Sequence, residues 1–140
     1  MGYGDWTEIT IQNTSDAELR FRNASLNWGK FYNCERGTNK DEEIEPGSLG
    51  AKVIPAHGSY TIGACGRENT WSGTEGQFDL YAPGTGQLAA TVKFYSPHGS
   101  SYNSVNIDCP NKEWSAGQNG AYLGNDKPLG AFTVTVAHAA

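Results

Sequence analysis

An alternation of apolar and polar residues with a period of two runs through this chain, and it leaves little choice of fold. The stretch from Gly63 to Tyr81, GACGRENTWSGTEGQFDLY, shows it with its flanks. Before the centre, Tyr60, Ile62 and Ala64 alternate with Ser59, Thr61 and Gly63; after it, Phe78, Leu80 and Ala82 alternate with Gln77, Asp79 and Tyr81. Successive side chains of a strand point to opposite faces, so each run presents one apolar row to a core. No helical periodicity of useful length competes. Between the runs, Gly66, Gly73 and Gly76 supply backbone freedom, which predicts a central hairpin. Its loop carries Arg67, Glu68, Glu75 and a tryptophan, Trp71, between Thr70 and Ser72. A tryptophan outside any apolar row is either an exposed contact or a ring folded back over the core.

The pattern recurs along the chain. Ile9 and Ile11 open a first strand that Trp6 introduces, Asn13-Thr14-Ser15-Asp16 turns, and Leu19 with Phe21 begins a return strand. The inward parity then passes from Leu19 and Phe21 to Leu26 and Trp28, which predicts a bulge near Asn23 to Ser25. Asp41, Glu42, Glu43 and Glu45 lack the spacing of a calcium loop and read as a solvated loop with a short helical turn. Val53-Ile54-Pro55 reads as a short edge strand, since proline cannot donate to a ladder. Pro83 to Gly86 makes a tight turn; Leu88, Ala90, Val92 and Phe94 form another inward row, and Val105 with Ile107 a short strand. Trp114, Tyr122 and Leu123 lie in a Gly- and Asn-rich stretch of weaker pattern. Phe132, Val134, Val136 and His138 make the last row. Short strands with turn signals between them predict an all-β fold, a single-domain β-sandwich of two mainly antiparallel sheets spanning residues 1–140.

Composition then removes whole classes of function. The net charge is −5 and the 10 basic residues are scattered, which excludes an electrostatic footprint for nucleic acid and any attraction to anionic membranes by charge. Cys34, Cys65 and Cys109 show no metal-binding spacing and read as reduced thiols without a role in activity. No metal or cofactor is implied. His57, His98 and His138 stand in unrelated contexts, and neither a GxSxG elbow nor an HExxH motif occurs. The chain does not read as an enzyme. No stretch reaches transmembrane length, the start lacks a basic segment followed by an apolar one, and Trp6 occupies the position where a myristoylation signal has Ser or Thr. These features predict a soluble protein made in the cytosol without a classical signal peptide.

The aromatics are more informative. Trp6, Trp28, Trp71, Tyr95 and Tyr102 lie at or beside strand ends, where amphipathic rings suit a bilayer interface, a protein interface or a sugar. Several blocks together make the chain resemble the aegerolysin family: Asn23 to Tyr32 (NASLNWGKFY), Asn39 to Ile44 (NKDEEI), Cys65-Gly66-Arg67, and Ser72 to Tyr81 (SGTEGQFDLY). The resemblance implies a membrane-lipid binder, often of sphingolipids, that recruits a larger membrane-attack-complex/perforin (MACPF) partner. It implies further the small component of a bacterial two-component insecticidal toxin, acting at the target-cell membrane after release. The family's headgroup segment falls on Phe94 to Asn103, where His98 stands for a Trp and Ser101 for a Lys. The expected lipid-facing set is Trp6, Trp28, Lys30, Trp71, Tyr95, His98 and Tyr102. The competing expectation is a carbohydrate- or protein-recognition module using the same loops without lipid.

Overall fold

The computed structural model describes residues 2–139. Eleven strands form in chain order: β1 Trp6–Asn13, β2 Leu19–Trp28, β3 Lys30–Asn33, β4 Asn39–Ile44, β5 Val53–Ile54, β6 Ser59–Cys65, β7 Thr74–Ala82, β8 Gln87–Ser96, β9 Ser104–Asp108, β10 Trp114–Asn119 and β11 Gly130–His138. A six-stranded sheet has the order β10-β11-β1-β6-β3-β4, and a five-stranded sheet the order β5-β2-β7-β8-β9. All pairings are antiparallel except β1 with β11.

The two inner faces meet as the alternation requires. Ile9, Ile11, Ile62, Val134 and Val136 from one sheet are buried with Phe21, Phe78, Leu80, Val92 and Phe94 from the other. Phe31 of β3 meets Phe94 of β8 edge to face at 6.0 Å, so aromatic contacts cross the core directly. The bulge in β2 is present: Asn23 has φ +55° and the register slips between Arg22 and Ser25. A second slip between Leu26 and Trp28 follows, which leaves Leu26 half-buried and turns Trp28 out to 57% exposure instead of inward.

Three further expectations are corrected. β6 and β7 flank residues 66–73 but lie in different sheets, so the central hairpin is a crossover between layers, as is the passage from β1 to β2. Alternation fixes which side chains face the core; it is silent on whether two inward rows lie side by side or face each other across it. The acidic run forms the edge strand β4 rather than a loop, with the helical turn following it at Pro46–Ala51. The weakly patterned Trp114 stretch is β10, an edge strand whose Ser115, Gly117 and Asn119 face solvent and so give no apolar rhythm.

Cys34, Cys65 and Cys109 are free thiols, and burial pushes the Cys34 thiol up to about 12. No helix among the described residues is long and apolar enough to cross a membrane. The topology gathers five connections at one end of the sandwich: the 3₁₀ turn Gly2–Gly4 before β1, Gly29 between β2 and β3, and residues 66–73, 97–103 and 120–129.

Candidate functional site

At that end, Gly29 reverses the chain between Trp28 and Lys30 with φ +89°. A Cβ there would stand 2.4 Å from the Cys65 carbonyl oxygen, so only glycine lets β3 start so close to β6. Thr74 Oγ1 donates to the Trp28 carbonyl at 3.2 Å and fixes where the indole leaves the strand. The loop carrying Trp71 is pinned at both ends. Gly66 N–H donates to the Asp5 carbonyl at 3.0 Å, and a Cβ on Gly73 would fall 2.0 Å from the Ser96 carbonyl oxygen. Arg67 reaches out of the same loop to Glu43 of β4 with two parallel bonds of 2.9 Å, which hold the Glu43 carboxyl below the usual carboxylate range.

Trp71 is 71% exposed, and the ring of His98 stands edge-on to it at 5.2 Å. His98 Nδ1 lies 2.9 Å from Asp5 Oδ2, so its carboxylate partner comes from the start of the chain. Trp28, Trp71, Tyr95 and His98 line one shallow recess of about 160 Å³ with Ser72, Thr74 and Pro97. Among the described residues, no lysine, arginine, aspartate or glutamate lines it. Its lining is two indoles, a phenol and an imidazole among the hydroxyls of Ser72 and Thr74, an amphipathic surface.

The remaining expected residues lie elsewhere at the same end. Tyr102, 67% exposed, is near Tyr122 rather than in the recess. Its neighbour Asn103 ties residues 97–103 to 120–129: its backbone N–H donates to the Gly124 carbonyl at 2.9 Å and its Nδ2 to the carbonyls of Tyr122 and Lys127. That tie presents Tyr122 and Leu123, both exposed, beside Tyr102. Sequence reasoning missed this pair. The available signal was an apolar dipeptide in a glycine- and asparagine-rich stretch without an apolar row.

Trp6 and Lys30 sit on the outer face of the six-stranded sheet. Trp6 is half-buried under Lys40, whose Nζ is 5.5 Å from its ring. Lys30 is only 7% exposed; its Nζ donates to Tyr3 Oη at 2.7 Å and lies 4.6 Å from the Tyr3 ring centre. Tyr3 in turn donates to Asp41 Oδ1 at 2.9 Å, and Lys40 Nζ donates to the Tyr3 carbonyl at 2.7 Å. No group of His, Cys, Asp and Glu able to hold a metal ion occurs among the described residues.

With this geometry in place, the comparisons are specific. The profile of the aegerolysin family matches residues 4–139. Aegerolysin Aa-Pri1 of Cyclocybe aegerita is 33% identical over 135 residues, 96% of this chain and 90% of that protein. Asp-hemolysin of Aspergillus fumigatus is 35% identical over 113 residues, covering 80% of this chain and 78% of that one. Among solved structures, RahU protein in complex with TRIS superposes with a TM-score of 0.87 at 30% identity, covering 97% of this chain and 96% of its own. IP-1A from Alcaligenes faecalis gives 0.84 at 33%, with 99% and 94% covered. This chain belongs to the aegerolysin family.

Proposed function

We propose that the aromatic end docks on a lipid membrane and that the protein is the lipid-recognising component of a pore-forming toxin. One observation carries the reading. Of the exposed large hydrophobic side chains among the described residues, Trp28, Trp71, Tyr102, Tyr122 and Leu123 lie at this end, and only Val53 lies elsewhere. An exposed apolar cluster on one pole of a soluble fold marks an interaction surface. Tryptophan and tyrosine gain at a bilayer interface by burying the ring while the N–H or O–H keeps a polar partner. With a net charge of −5, attraction to anionic lipid contributes little, so rings and headgroup shape decide. The name of one relative, Asp-hemolysin, supports a membrane-damaging role.

In this reading Trp28, Trp71, Tyr95, His98 and Tyr102 touch the lipid, a sphingolipid or another headgroup. Trp6 and Lys30 brace the base of the site. Pore formation falls to a larger MACPF-type partner recruited after docking, as in insecticidal two-component toxins, and the chain itself performs no catalysis. The test is sedimentation with phosphatidylcholine vesicles with and without sphingolipid, paired with a thermal melt. Lipid-dependent pelleting that the double variant Trp28→Ala/Trp71→Ala loses at unchanged melting temperature is expected. Failure to pellet on any composition, or pelleting indifferent to both tryptophans, would remove the membrane reading. Dye leakage that requires an added MACPF-type partner checks the second half.

A further inference from the structure

The outer face of the five-stranded sheet divides into two halves of different chemistry. In the half away from the aromatic end, polar groups are spent on one another. Asn23 Nδ2 donates to Asp79 Oδ2 at 3.0 Å, Thr91 Oγ1 donates to Asp79 Oδ1 at 2.7 Å, and the Arg22 guanidinium lies 4.6 Å from the Tyr81 ring centre. The half nearer the aromatic end is different. Register places Ser25, Gln77, Lys93 and Asn106 in one row across β2, β7, β8 and β9, with Glu75 and Tyr95 in the next. These six line a groove of about 240 Å³. Among the described residues, none of these six side chains bonds or pairs with another side chain or with the backbone.

We infer that this groove is a saccharide-binding site, distinct from the aromatic recess. The donors and acceptors are two amides, two hydroxyls, a carboxylate and an ammonium, groups that match sugar hydroxyls, and they stand on adjacent strands that cost little to order on binding. Phe94 lies buried beneath, and Tyr95 supplies the accessible ring against which the C–H face of a sugar packs. Charge is balanced between Glu75 and Lys93, which disfavours a phosphate or a nucleic acid. A peptide is disfavoured for a separate reason: the groove lies on the sheet face, where the backbone groups of β7 and β8 are already used by their ladders on both sides. The volume is below the usual ~300–1,000 Å³ of drug-sized ligand sites, which suits a small sugar unit. Tyr95 lines both groove and recess, so a sugar displayed on a membrane component meets both. A free saccharide meets the groove alone.

Saturation-transfer NMR with methyl β-galactoside, methyl α-mannoside, N-acetylglucosamine and sialyllactose tests the site without any membrane. At least one sugar is expected to receive transfer and to shift backbone amides in β7, β8 and β9. Gln77→Ala/Asn106→Ala should weaken that binding by about tenfold or more, since each lost amide leaves sugar hydroxyls unpaired. Trp28→Ala should leave it unchanged. No transfer to any of the four, or transfer that survives the double substitution with the melting temperature preserved, overturns the inference. Vesicles carrying galactosylceramide separate the sources: pelleting inhibited by the free sugar supports a membrane-borne glycan, and sugar binding without such pelleting supports a soluble one. Because the NMR arm needs no lipid, failure of the membrane reading leaves its result intact.

Discussion

The two ends of the sandwich treat the same residue type in opposite ways. At the closed end, Trp114 is 3% exposed, donates from Nε1 to Gln87 Oε1 at 3.0 Å, and stacks on His138 at 4.3 Å. Asn13 plugs the same end: buried, it donates to the carbonyls of Ala17 and Pro55 and accepts from the Ser15 N–H and hydroxyl. At the aromatic end, Trp28 ends β2 under the Thr74 hydroxyl and Trp71 stands out of a loop pinned at both ends, and neither ring nitrogen has a bond within the described residues. One end uses its polar atoms to close over its tryptophan. The other closes with glycines, main-chain bonds and the side chains of Thr74 and Asn103, and leaves its two tryptophan rings free. A residue's contribution to stability and its contribution to binding should therefore separate from one end of the sandwich to the other.

The largest expected effect breaks the closed end. Trp114→Ala removes a buried ring and strands Gln87, which should cost about 3–5 kcal/mol and lower the melting temperature sharply. Vesicle binding per folded molecule should not change. A stable Trp114→Ala protein with impaired binding would abolish the contrast between the ends.

Lys30 sharpens the comparison from within the aromatic end. It stands two residues from Trp28, yet its charge is covered by Tyr3 on the outer face of the six-stranded sheet. Lys30→Ala loses the packed stem and leaves the Tyr3 hydroxyl one donor short, so roughly 1–3 kcal/mol of stability should go. Binding should fall only as folding falls. Lost binding at an unchanged melting temperature would place the ammonium on the lipid instead. For Trp28→Ala and Trp71→Ala the expectation is reversed. Stability should stay within about 0.5 kcal/mol, while membrane binding weakens by about 1–2 kcal/mol, several-fold to tenfold or more.

How much of this was legible beforehand differs by level. Inward rows such as Phe78, Leu80, Val134 and Val136 could be read directly, because burial on one face imposes period two. Pairing partners could not: the connection through residues 66–73 looks like a hairpin until the fold places β6 and β7 in opposite sheets. The site was half visible. Trp28 and Trp71 sit beside glycines in the sequence, but the meeting of His98 with Asp5, 93 residues apart, depends on topology alone. The covering of Lys30 depends on Tyr3, which no motif flagged, and Tyr122 with Leu123 depends on the Asn103 tie.

The smallest expected effect concerns Arg67, and it asks whether the free end needs a stiff base. The Arg67–Glu43 pair joins the Trp71 loop to β4 and is exposed, with side chains 53% and 32% accessible. Exposed pairs contribute about 0.2–1 kcal/mol, less as salt rises, so Arg67→Ala should barely move the melting temperature. The sign with pH follows from Glu43, whose carboxyl is held low by Arg67. The pair's contribution is present above the unfolded carboxylate's titration range and fades as pH falls through the lowered folded value. If the pair acts only by steadying the loop, Arg67→Ala and Glu43→Gln should weaken vesicle binding equally, and less than Trp71→Ala does. Their combination should add nothing, because each alone already breaks the same tie. If Arg67→Ala abolishes binding while Glu43→Gln leaves it intact, the guanidinium itself meets the headgroup, and the free end would then recognise lipid by charge as well as by its rings.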